Sequence, residues 1–402
     1  MQSMDSLKPE LWTCSSNTCT KISIVNSKSN KVVTFNPRFT YPIFGESEQI
    51  FGYQDLEIIL AFESKTFKPL INVKYSKKLD EDSLDGSKSP LDMLLEFFPS
   101  KDDLVIKDEL QWTKSFESDS LDLPTLGELI DENGNISVYK CNIKDVKLLH
   151  QRIQIFTLFF IEGASYIDEN DTNWDVYFII NNETKDILGY TTCYRFWKYG
   201  GHEEFDNLTT DYPIRSKISQ FLIFPPYQNK GYGSILYTSL MNYWLTLANV
   251  KEITVEDPNE DFDYLRDVND LKLLLKLGIQ DQIEFDKKTA SNSIISQKWI
   301  DKIKPTLKLE SRQLIRLLEM LLLYKNAPQF RLQVKKRLFE KNYDALIELD
   351  TPSRNDKLQT AFLNIKNGYQ SVIDCVTNSH QNKRKNKDDN QQNQDSKRSK
   401  NQ

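Results

Sequence analysis

Hydrophobic positions in the first third of the chain alternate with polar ones in short runs. Such runs, rich in β-branched and aromatic residues and separated by Pro and Gly, are typical of strands joined by turns. They predict strands at 21–25, 32–35, 56–62 and 70–75. A polar loop at 78–90 and a helix at 91–98 follow. The pattern predicts a β-rich domain over residues 1–130.

The spacing of apolar residues changes over residues 131–270, where helical and strand periods are mixed. Apolar side chains recur at helical spacing in 145–160 and 233–247. Apolar runs predict strands at 174–180, 187–196, 217–224 and 252–256. The first two are close enough to form a hairpin. We therefore expect a domain with both helices and strands over residues 131–270.

The last third of the chain is helical in pattern. Apolar stripes predict a small helical domain over residues 271–377. Beyond it the composition turns to Asn, Gln, Lys, Asp and Ser, which predicts a disordered basic tail over residues 378–402.

Composition excludes several classes of protein. No long uncharged apolar run and no secretory signal is visible, so we expect neither a membrane span nor secretion. Five scattered cysteines argue against a disulfide framework and a Cys-rich zinc module. Three histidines supply a metal site or catalytic triad poorly, so no metal is expected.

The net charge of -6 is unevenly distributed. Residues 380–402 carry seven Lys/Arg and three Asp, whereas the remaining body carries 45 Lys/Arg and 55 Asp/Glu. An acidic body argues against direct nucleic-acid binding, because phosphate contacts need cations. It fits a basic partner, although an acidic surface is also common among soluble proteins.

The most informative segment is a strand, a Pro-Pro break and a glycine-bearing turn before a helix. It contains Gln228-x-x-Gly231-x-Gly233. Backbone N–H groups at such a helix start converge on one point and can bind a phosphate or pyrophosphate. The spacing is neither that of a P-loop nor that of a dinucleotide fold, and by itself it also fits an ordinary strand–turn–helix connection.

Together with other segments, this turn resembles the acetyl-coenzyme A N-acetyltransferases of the GNAT superfamily. More narrowly, the chain resembles the family of type B histone acetyltransferase catalytic subunits. The similar segments are 44–46, 51–53, 160–168 with Trp174, 220–233, 255–260 and 265–267. One departure is Tyr232, where many relatives have His. The resemblance implies an α+β fold: a mixed-sheet GNAT domain between the β-rich domain and the helical one.

The resemblance implies that acetyl-CoA is the cosubstrate. Its pantetheine arm would pair with the backbone of one strand, and the turn would wrap the pyrophosphate. The implied cofactor-binding residues are Phe221, Leu222, Ile223, Gln228, Asn229, Lys230, Gly231, Tyr232, Gly233, Ser234 and Asn259. The alternatives without a role in binding are a packed core strand for 221–223 and a turn residue for Asn259.

A protonated lysine must lose a proton before it can attack a thioester, so direct transfer needs a base. The resemblance assigns this work to the carboxylates Glu256, Asp257 and Glu162, with Glu256 the first choice. Glu162 follows an aromatic-rich helix, so apolar surroundings that raise its pKa are expected. Each acid also has a structural alternative: a strand-end turn for Asp257 and a helix-end charge for Glu162.

An acidic stretch interleaved with aromatic residues suits a Lys/Arg-rich substrate. Residues 162–211 hold eleven Asp/Glu and three Lys/Arg. Carboxylates pair with cations, and rings cover aliphatic stems and stack on Arg. The resemblance points to the N-terminal tail of histone H4, in the H3–H4 complex. The implied substrate-binding residues are Glu46, Glu48, Trp174, Tyr194, Arg195 and Phe196. Sheet core remains the alternative for Trp174 and Phe196.

The resemblance also implies a WD40-repeat histone-binding subunit as a partner. Two basic clusters in the tail, at 383–385 and 397–398, have the spacing of a bipartite nuclear import signal, although they also fit a solvating terminus. Cytoplasmic and nuclear localisation is expected. An acetyltransferase for a polyamine or another protein, and a histone chaperone without turnover, remain as alternative functions.

Overall fold

A computed structural model describes residues 8–80, 88–98, 104–119, 121–206, 212–286 and 294–398. The chain divides into two compact units. The first consists of Met1–Tyr199 and Ile214–Trp244, and the second of Gly200–Pro213 and Leu245–Gln402. The division therefore differs from the four regions expected from the sequence.

The N-terminal part of the first unit is built on a mixed five-stranded sheet. Its strand order is β3-β2-β6-β7-β9, with β2 parallel to β6 and β7 parallel to β9. Two small ribbons, β1-β4 and β5-β8, accompany it. The bounds are β1 Thr13–Ser15, β2 Thr20–Asn26, β3 Lys31–Phe35, β4 Gln49–Phe51, β5 Tyr53–Gln54, β6 Glu57–Glu63, β7 Pro69–Lys74, β8 Lys77–Lys78 and β9 Val105–Ile106.

Five antiparallel strands form the second sheet of this unit, in the order β10-β11-β12-β13-β14. They are β10 Glu128–Asn133, β11 Ile136–Asn142, β12 Trp174–Asn181, β13 Ile187–Trp197 and β14 Ile214–Ile223. The strands predicted at 174–180, 187–196 and 217–224 lie within β12, β13 and, but for one residue, β14. The β10–β11 hairpin was not predicted.

Helices of the first unit are mostly short. They are α1 Ser16–Cys19, α2 Tyr41–Phe44, α3 Pro90–Leu95, α4 Glu109–Ser118, α5 Leu123–Leu126, α6 Lys147–Ile153, α7 Ile155–Phe160 and α9 Tyr232–Thr246, whose last two residues belong to the second unit. The single helix predicted at 145–160 is two helices in the structure, because the helix is interrupted at Gln154.

One hydrophobic core serves both sheets of the first unit. The rings of Phe62 and Phe156 have centroids 4.8 Å apart, as do those of Phe67 and Phe224 and those of Phe156 and Phe224. All four side chains are fully buried. Buried residues on both sides of position 130 therefore share one core.

The second unit is mainly helical, as the apolar stripes predicted for its C-terminal part. Its elements are α8 His202–Asp206, β15 Val250–Val255, α10 Glu260–Lys276, α11 Gln297–Leu307, α12 Ser311–Tyr324, α13 Phe330–Lys341, α14 Tyr343–Ile347 and α15 Thr351–Arg398. The buried Glu319 accepts two hydrogen bonds from Arg337 and one from Tyr369, which joins α12, α13 and α15.

The backbone of α15 continues to Arg398, through residues for which the sequence predicted disorder. A helix that is already nucleated by its packed part extends at low cost, since each added residue gains one hydrogen bond. No helix in the described part of the chain is long and apolar enough to cross a membrane. Among the same residues, no group of three or more His, Cys, Asp or Glu is arranged to hold a metal.

Candidate active site

The glycine-bearing turn joins the end of β14 to the start of α9. Pro225–Tyr227 form one turn of 3-10 helix, since proline cannot continue the strand ladder. The Gln228 side chain then folds back, and its Nε2 donates to the carbonyl of Ile223 at 2.8 Å. Lys230 Nζ donates to the carbonyl of Pro226 at 2.8 Å. These two bonds fix the turn against the strand that precedes it.

The backbone of this turn presents amides at the N-terminus of α9. The bond from Ile235 N to Gly231 O is 3.1 Å long, and the amides of Tyr232 and Gly233 precede it. Gly231 has a φ of +83°, and no heavy atom lies within 4 Å of the position that a Cβ would take there. Helix N-terminal amides with open space beside them fit a phosphate or pyrophosphate group.

The predicted pantetheine strand is held rigidly in the sheet by β13. Phe221, Leu222 and Ile223 pair with Thr191, Tyr190 and Gly189, respectively. A Cβ on Gly189 would lie 2.4 Å from the carbonyl oxygen of Leu222, so only glycine fits opposite these residues. Leu222 and Ile223 are buried and Phe221 is half-buried. The side chains of Leu222 and Ile223 are therefore core, which leaves any binding role of these two residues to the backbone.

A β-bulge precedes this strand segment. The register of β13 and β14 shifts between Thr192 and Cys193, and Gln220 lies opposite Thr192. Gln220 is buried, and its Nε2 donates to the carbonyl of Ser165 at 2.9 Å. Since Ser165 follows Glu162 by three residues, the bulge anchors the loop that carries this predicted catalytic residue. The sequence analysis did not identify that anchor.

The predicted substrate residues on β12 and β13 form an aromatic row. Trp174 lies opposite Tyr194, with ring centroids 4.8 Å apart. The Tyr194 and Phe196 rings are 4.5 Å apart, which makes a row of three rings on one face of the sheet. Trp197 is the next residue of the strand and points to the opposite face, where its ring centroid is 5.8 Å from that of Tyr199. Phe196 is 39% exposed, so it is not the sheet core that was the alternative.

Asp171 fixes this row and was missed as an individual residue by the sequence analysis. Its carboxylate accepts from the Asn173 amide at 2.9 Å and from the Tyr194 hydroxyl at 2.7 Å. These bonds, that of Asn173 first, lower the pKa of Asp171, and the bond to Asp171 raises the pKa of Tyr194. The Asp-x-Asn spacing before a strand is the signal that could have found it.

Arg195 lies beside the carboxylate of Asp175 on the same pair of strands. Its guanidinium donates to the carbonyl of Thr172 at 2.6 Å and lies 3.2 Å from Asp175 Oδ2. Burial raises the pKa of Asp175, and Lys140 and Arg195 oppose that rise. Both contacts of Arg195 are internal, so the side chain supports the strand end.

The two acids predicted in the N-terminal part differ in their surroundings. Glu46 is exposed in the turn after α2. Glu48 accepts from the amides of Thr40 and Tyr41 at 2.6 and 3.2 Å and from Asn17 Nδ2 at 2.7 Å. Desolvation opposes ionisation there, but these bonds outweigh it and lower the pKa of Glu48. Glu48 therefore holds its own segment together.

Glu162 is exposed in the turn after α7, and Gly163, the next residue, has a φ of +69°. The expectation of apolar surroundings for Glu162 is therefore wrong. The helix before it turns its aromatic side chains into the core, and the chain leaves the helix at Ile161 toward solvent.

The remaining predicted acids belong to the second unit. Glu256 and Asp257 are exposed immediately after β15. Asp257 has a φ of +33°, a strained backbone conformation for a residue with a side chain, and Pro258 follows it. Asn259 Oδ1 accepts from the Phe262 amide at 2.9 Å, so Asn259 is the N-cap of α10. Its structural role is thus a helix cap, close to the turn residue considered as its alternative.

The strand, bulge, glycine turn and helix define the class of this protein. A model of the acetyltransferase (GNAT) family matches residues 149–261, which contain all of these features. The chain is therefore an acetyl-CoA-dependent acetyltransferase with the GNAT fold, and the α+β prediction is confirmed.

Two further family models and full-length relatives give the narrower family. "Histone acetyl transferase HAT1 N-terminus" matches residues 12–162, and "Fungal HAT1, C-terminal" matches residues 267–327. A histone acetyltransferase type B catalytic subunit of Kluyveromyces lactis is 46% identical over 92% of this chain and 94% of its own length. That of Candida albicans is 40% identical over 91% of each chain. The chain belongs to the family of histone acetyltransferase type B catalytic subunits.

Two solved structures with partial likeness to this chain are acetyltransferases by name. A metagenomic aminoglycoside acetyltransferase is 19% identical and covers 34% of this chain and 86% of its own, with a TM-score of 0.25. The xEco2 acetyltransferase domain bound to a K105-CoA conjugate is 15% identical over 33% of this chain and 87% of its own, with a TM-score of 0.24. The assignment rests on the sequence relatives.

Proposed function

We propose that this enzyme transfers an acetyl group from acetyl-CoA to lysine ε-amines in the N-terminal tail of free, newly made histone H4. Transfer would occur by direct attack in a ternary complex. The observation that carries the choice of a basic peptide is the aromatic row of Trp174, Tyr194 and Phe196, which is exposed at Phe196 and has the Asp171 carboxylate on Tyr194. Aromatic faces beside carboxylates bind cationic side chains.

The turn 228–234 is the proposed site for the pyrophosphate of acetyl-CoA. The amides before the first helical bond of α9, and the open space beside Gly231, support this assignment. Since this recognition uses the backbone, Tyr232 is compatible with it. Leu222 and Ile223 would present backbone groups to the pantetheine arm, as a strand does to an added peptide. Asn259 would add a further contact through its side-chain amide nitrogen, because its oxygen already caps α10.

Bound acetyl-CoA supplies the thioester carbonyl that the lysine amine attacks. Glu256 is our first choice for the base that removes the amine proton, and Asp257 and Glu162 are the other candidates. The strained φ of +33° at Asp257 supports a functional strand end here, because such strain is concentrated at functional sites. A base positioned in this way contributes about 10²–10⁴-fold to the rate.

The proposed tail contacts are of two kinds. Rings of the aromatic row would cover lysine stems and cations, and Phe196 already accepts the Lys217 ammonium, 5.1 Å from its ring centroid. Glu46 is exposed and suited to pair directly with a tail cation. Glu48 and Arg195 are bonded internally and would act by holding the segments that bear these contacts.

Family membership also underlies our proposals for the partner and the location. The name of the relatives, a catalytic subunit, is consistent with a complex, and we propose a WD40-repeat histone-binding subunit as its other member. The substrate would be histone H4 in the H3–H4 complex, without direct nucleic-acid contact. We propose action in the cytoplasm and the nucleus, with residues 383–398 as the import signal; deleting residues 382–402 should then reduce nuclear accumulation.

An acetylation assay tests the proposal. Labelled acetyl-CoA is supplied with H4 tail peptides in which lysines are replaced one at a time, and with spermidine as a competing class of acceptor. Label should enter the peptide and be lost on replacement of particular lysines. Preference for spermidine would support a polyamine acetyltransferase, and binding of peptide without incorporation would support a chaperone.

A further inference from the structure

Two cysteines of the first unit lie side by side. Cys14 Sγ and Cys19 Sγ are 3.6 Å apart, with Cys14 on β1 and Cys19 at the end of α1. Cys14 is half-buried and Cys19 is 8% exposed. Among the other cysteines, Cys141 and Cys193 are buried in the second sheet and Cys375 belongs to the second unit.

The local fold determines this proximity. Cys14 pairs with Ile50 in the β1–β4 ribbon, and the chain then makes the single turn of α1. The bond from Ser16 N to the Glu48 carbonyl, at 2.9 Å, holds the start of that turn. The turn brings the fifth residue after Cys14 back beside it. The two sulfurs must approach by about 1.5 Å to reach the length of a disulfide bond.

We propose that Cys14 and Cys19 form an intramolecular disulfide when the protein meets a hydroperoxide, and so are a redox modification site of this enzyme. Cys14 is the attacking thiol, since it is the more accessible of the two. Cys19 is the resolving thiol, since it is the neighbouring sulfur.

The chemistry of the pair favours this order. The hydrogen bond between the two sulfurs lowers the pKa of the Cys14 thiol and raises that of Cys19. The Cys14 thiolate attacks a peroxide oxygen, the O–O bond breaks, and the leaving oxygen takes a proton, which leaves Cys14 as a sulfenic acid. The negative charge of the Cys14 thiolate opposes ionisation of Cys19. The sulfenic acid is neutral, so this opposition is removed.

The second step closes the bond. The Cys19 sulfur loses its proton and attacks Cys14 Sγ, the S–S bond forms, and the S–O bond breaks with release of water. Two electrons pass from the two thiols to the peroxide. Reduction by a dithiol returns both cysteines to the thiol form.

Closure would act on the segment between the cysteines. Asn17 in that segment donates to Glu48 Oε2 at 2.7 Å and accepts from Thr40 Oγ1 at 2.6 Å, and the Ser16 hydroxyl lies 2.6 Å from that of Thr40. Drawing Cys14 and Cys19 together would shift Asn17 and loosen the turn that carries Glu46. This consequence rests on the proposed histone function; the disulfide itself does not.

Peptide mass spectrometry on the oxidised full chain tests the proposal. Reduced protein is treated with hydrogen peroxide, its free thiols are alkylated, and trypsin releases a peptide that ends at Lys21 and contains both cysteines. The expected result is loss of both alkyl groups from this peptide and a mass lower by two hydrogen atoms, reversed by dithiothreitol. Cys375→Ser should give the same result. In Cys19→Ser, dimedone should label Cys14.

Two outcomes would overturn the proposal. One is full alkylation of both cysteines at peroxide concentrations that oxidise Cys375, and the other is oxidation of Cys14 to a sulfinic acid without loss of the Cys19 alkyl group. Both outcomes are measured on the parent chain, so the test does not depend on whether a variant folds. If the disulfide forms, a rise in KM for the H4 peptide, absent in Cys14→Ser, tests the link to substrate binding separately.

Discussion

Replacing Gly231 by alanine distinguishes the loss of the proposed acetyl-CoA site at the turn 228–234 from the effect of backbone strain on stability. At a φ of +83°, an L-residue costs about 1–2 kcal/mol. No atom within 4 Å obstructs the new methyl group, so little steric cost is added. If the open space at Gly231 holds the pyrophosphate, as we propose, the methyl group would occupy part of that space. We therefore expect a small loss of stability and a larger loss of acetyl-CoA affinity.

The size of the affinity loss follows from the bonds at risk. A hydrogen bond to a charged group contributes about 1.5–3 kcal/mol. Loss of one amide–phosphate bond therefore predicts a Kd for acetyl-CoA about 10- to 100-fold higher. Titration calorimetry measures this Kd directly, and chemical denaturation measures the accompanying free energy of unfolding.

Gly134→Ala is the matched control. Gly134 has a φ of +60°, also has no atom within 4 Å of its Cβ position, and lies in the β10–β11 turn, away from the predicted site residues. It should lose about the same stability as Gly231→Ala and keep the parent's Kd. Equal Kd values in the two variants would refute the assignment of the turn to cofactor binding.

Three other predictions concern the chemistry and the substrate surface. Glu256→Gln should lower kcat by about 10²-fold or more and leave the Kd for acetyl-CoA nearly unchanged, with Glu260→Gln as an exposed control; unchanged turnover across the pH range would remove Glu256 from the base role. The KM for the H4 peptide should rise markedly with salt, and indifference to ionic strength would contradict an acidic binding surface. Asp171→Asn should cost below about 1 kcal/mol at pH 7, since the carboxylate is only partly shielded from solvent. Because the pKa of Asp171 is lowered from 3.8, its stabilisation is present above that value and is lost as pH falls through the lower folded value. The difference in unfolding free energy between parent and variant should therefore vanish in acid, and a constant difference would show that the charge is not responsible.

Local patterns in the sequence were sufficient for most strands and for the glycine turn. The strand at 187–196 follows from a run rich in β-branched and aromatic residues, and the turn after Ile223 follows from Pro225, Pro226 and two glycines. Both signals are local, because strand and turn preferences act over a few residues. The helix at 145–160 was placed correctly but its break at Gln154 was not, since no proline or glycine marks it.

Roles of individual acids could not be read from local sequence. Glu48, Glu162 and Asp171 are all acidic residues near aromatic segments, yet Glu48 bonds its own loop, Glu162 faces solvent and Asp171 holds Tyr194. Each outcome depends on partners that are distant in the chain or on the direction in which a turn leaves a helix. Composition cannot distinguish these cases, because the partners are brought together only by folding.

The sequence by itself determined the class of fold, and its resemblance over several segments gave the family. It also predicted, from glycines at the start of a helix, that residues 228–234 suit a pyrophosphate. Only the tertiary structure decided that residues on both sides of position 130 share one core and that Cys14 faces Cys19. The physical reason is that buried contacts and side-chain distances follow from packing between segments that are distant in the chain. Hydrophobic pattern and turn preference are properties of each segment by itself.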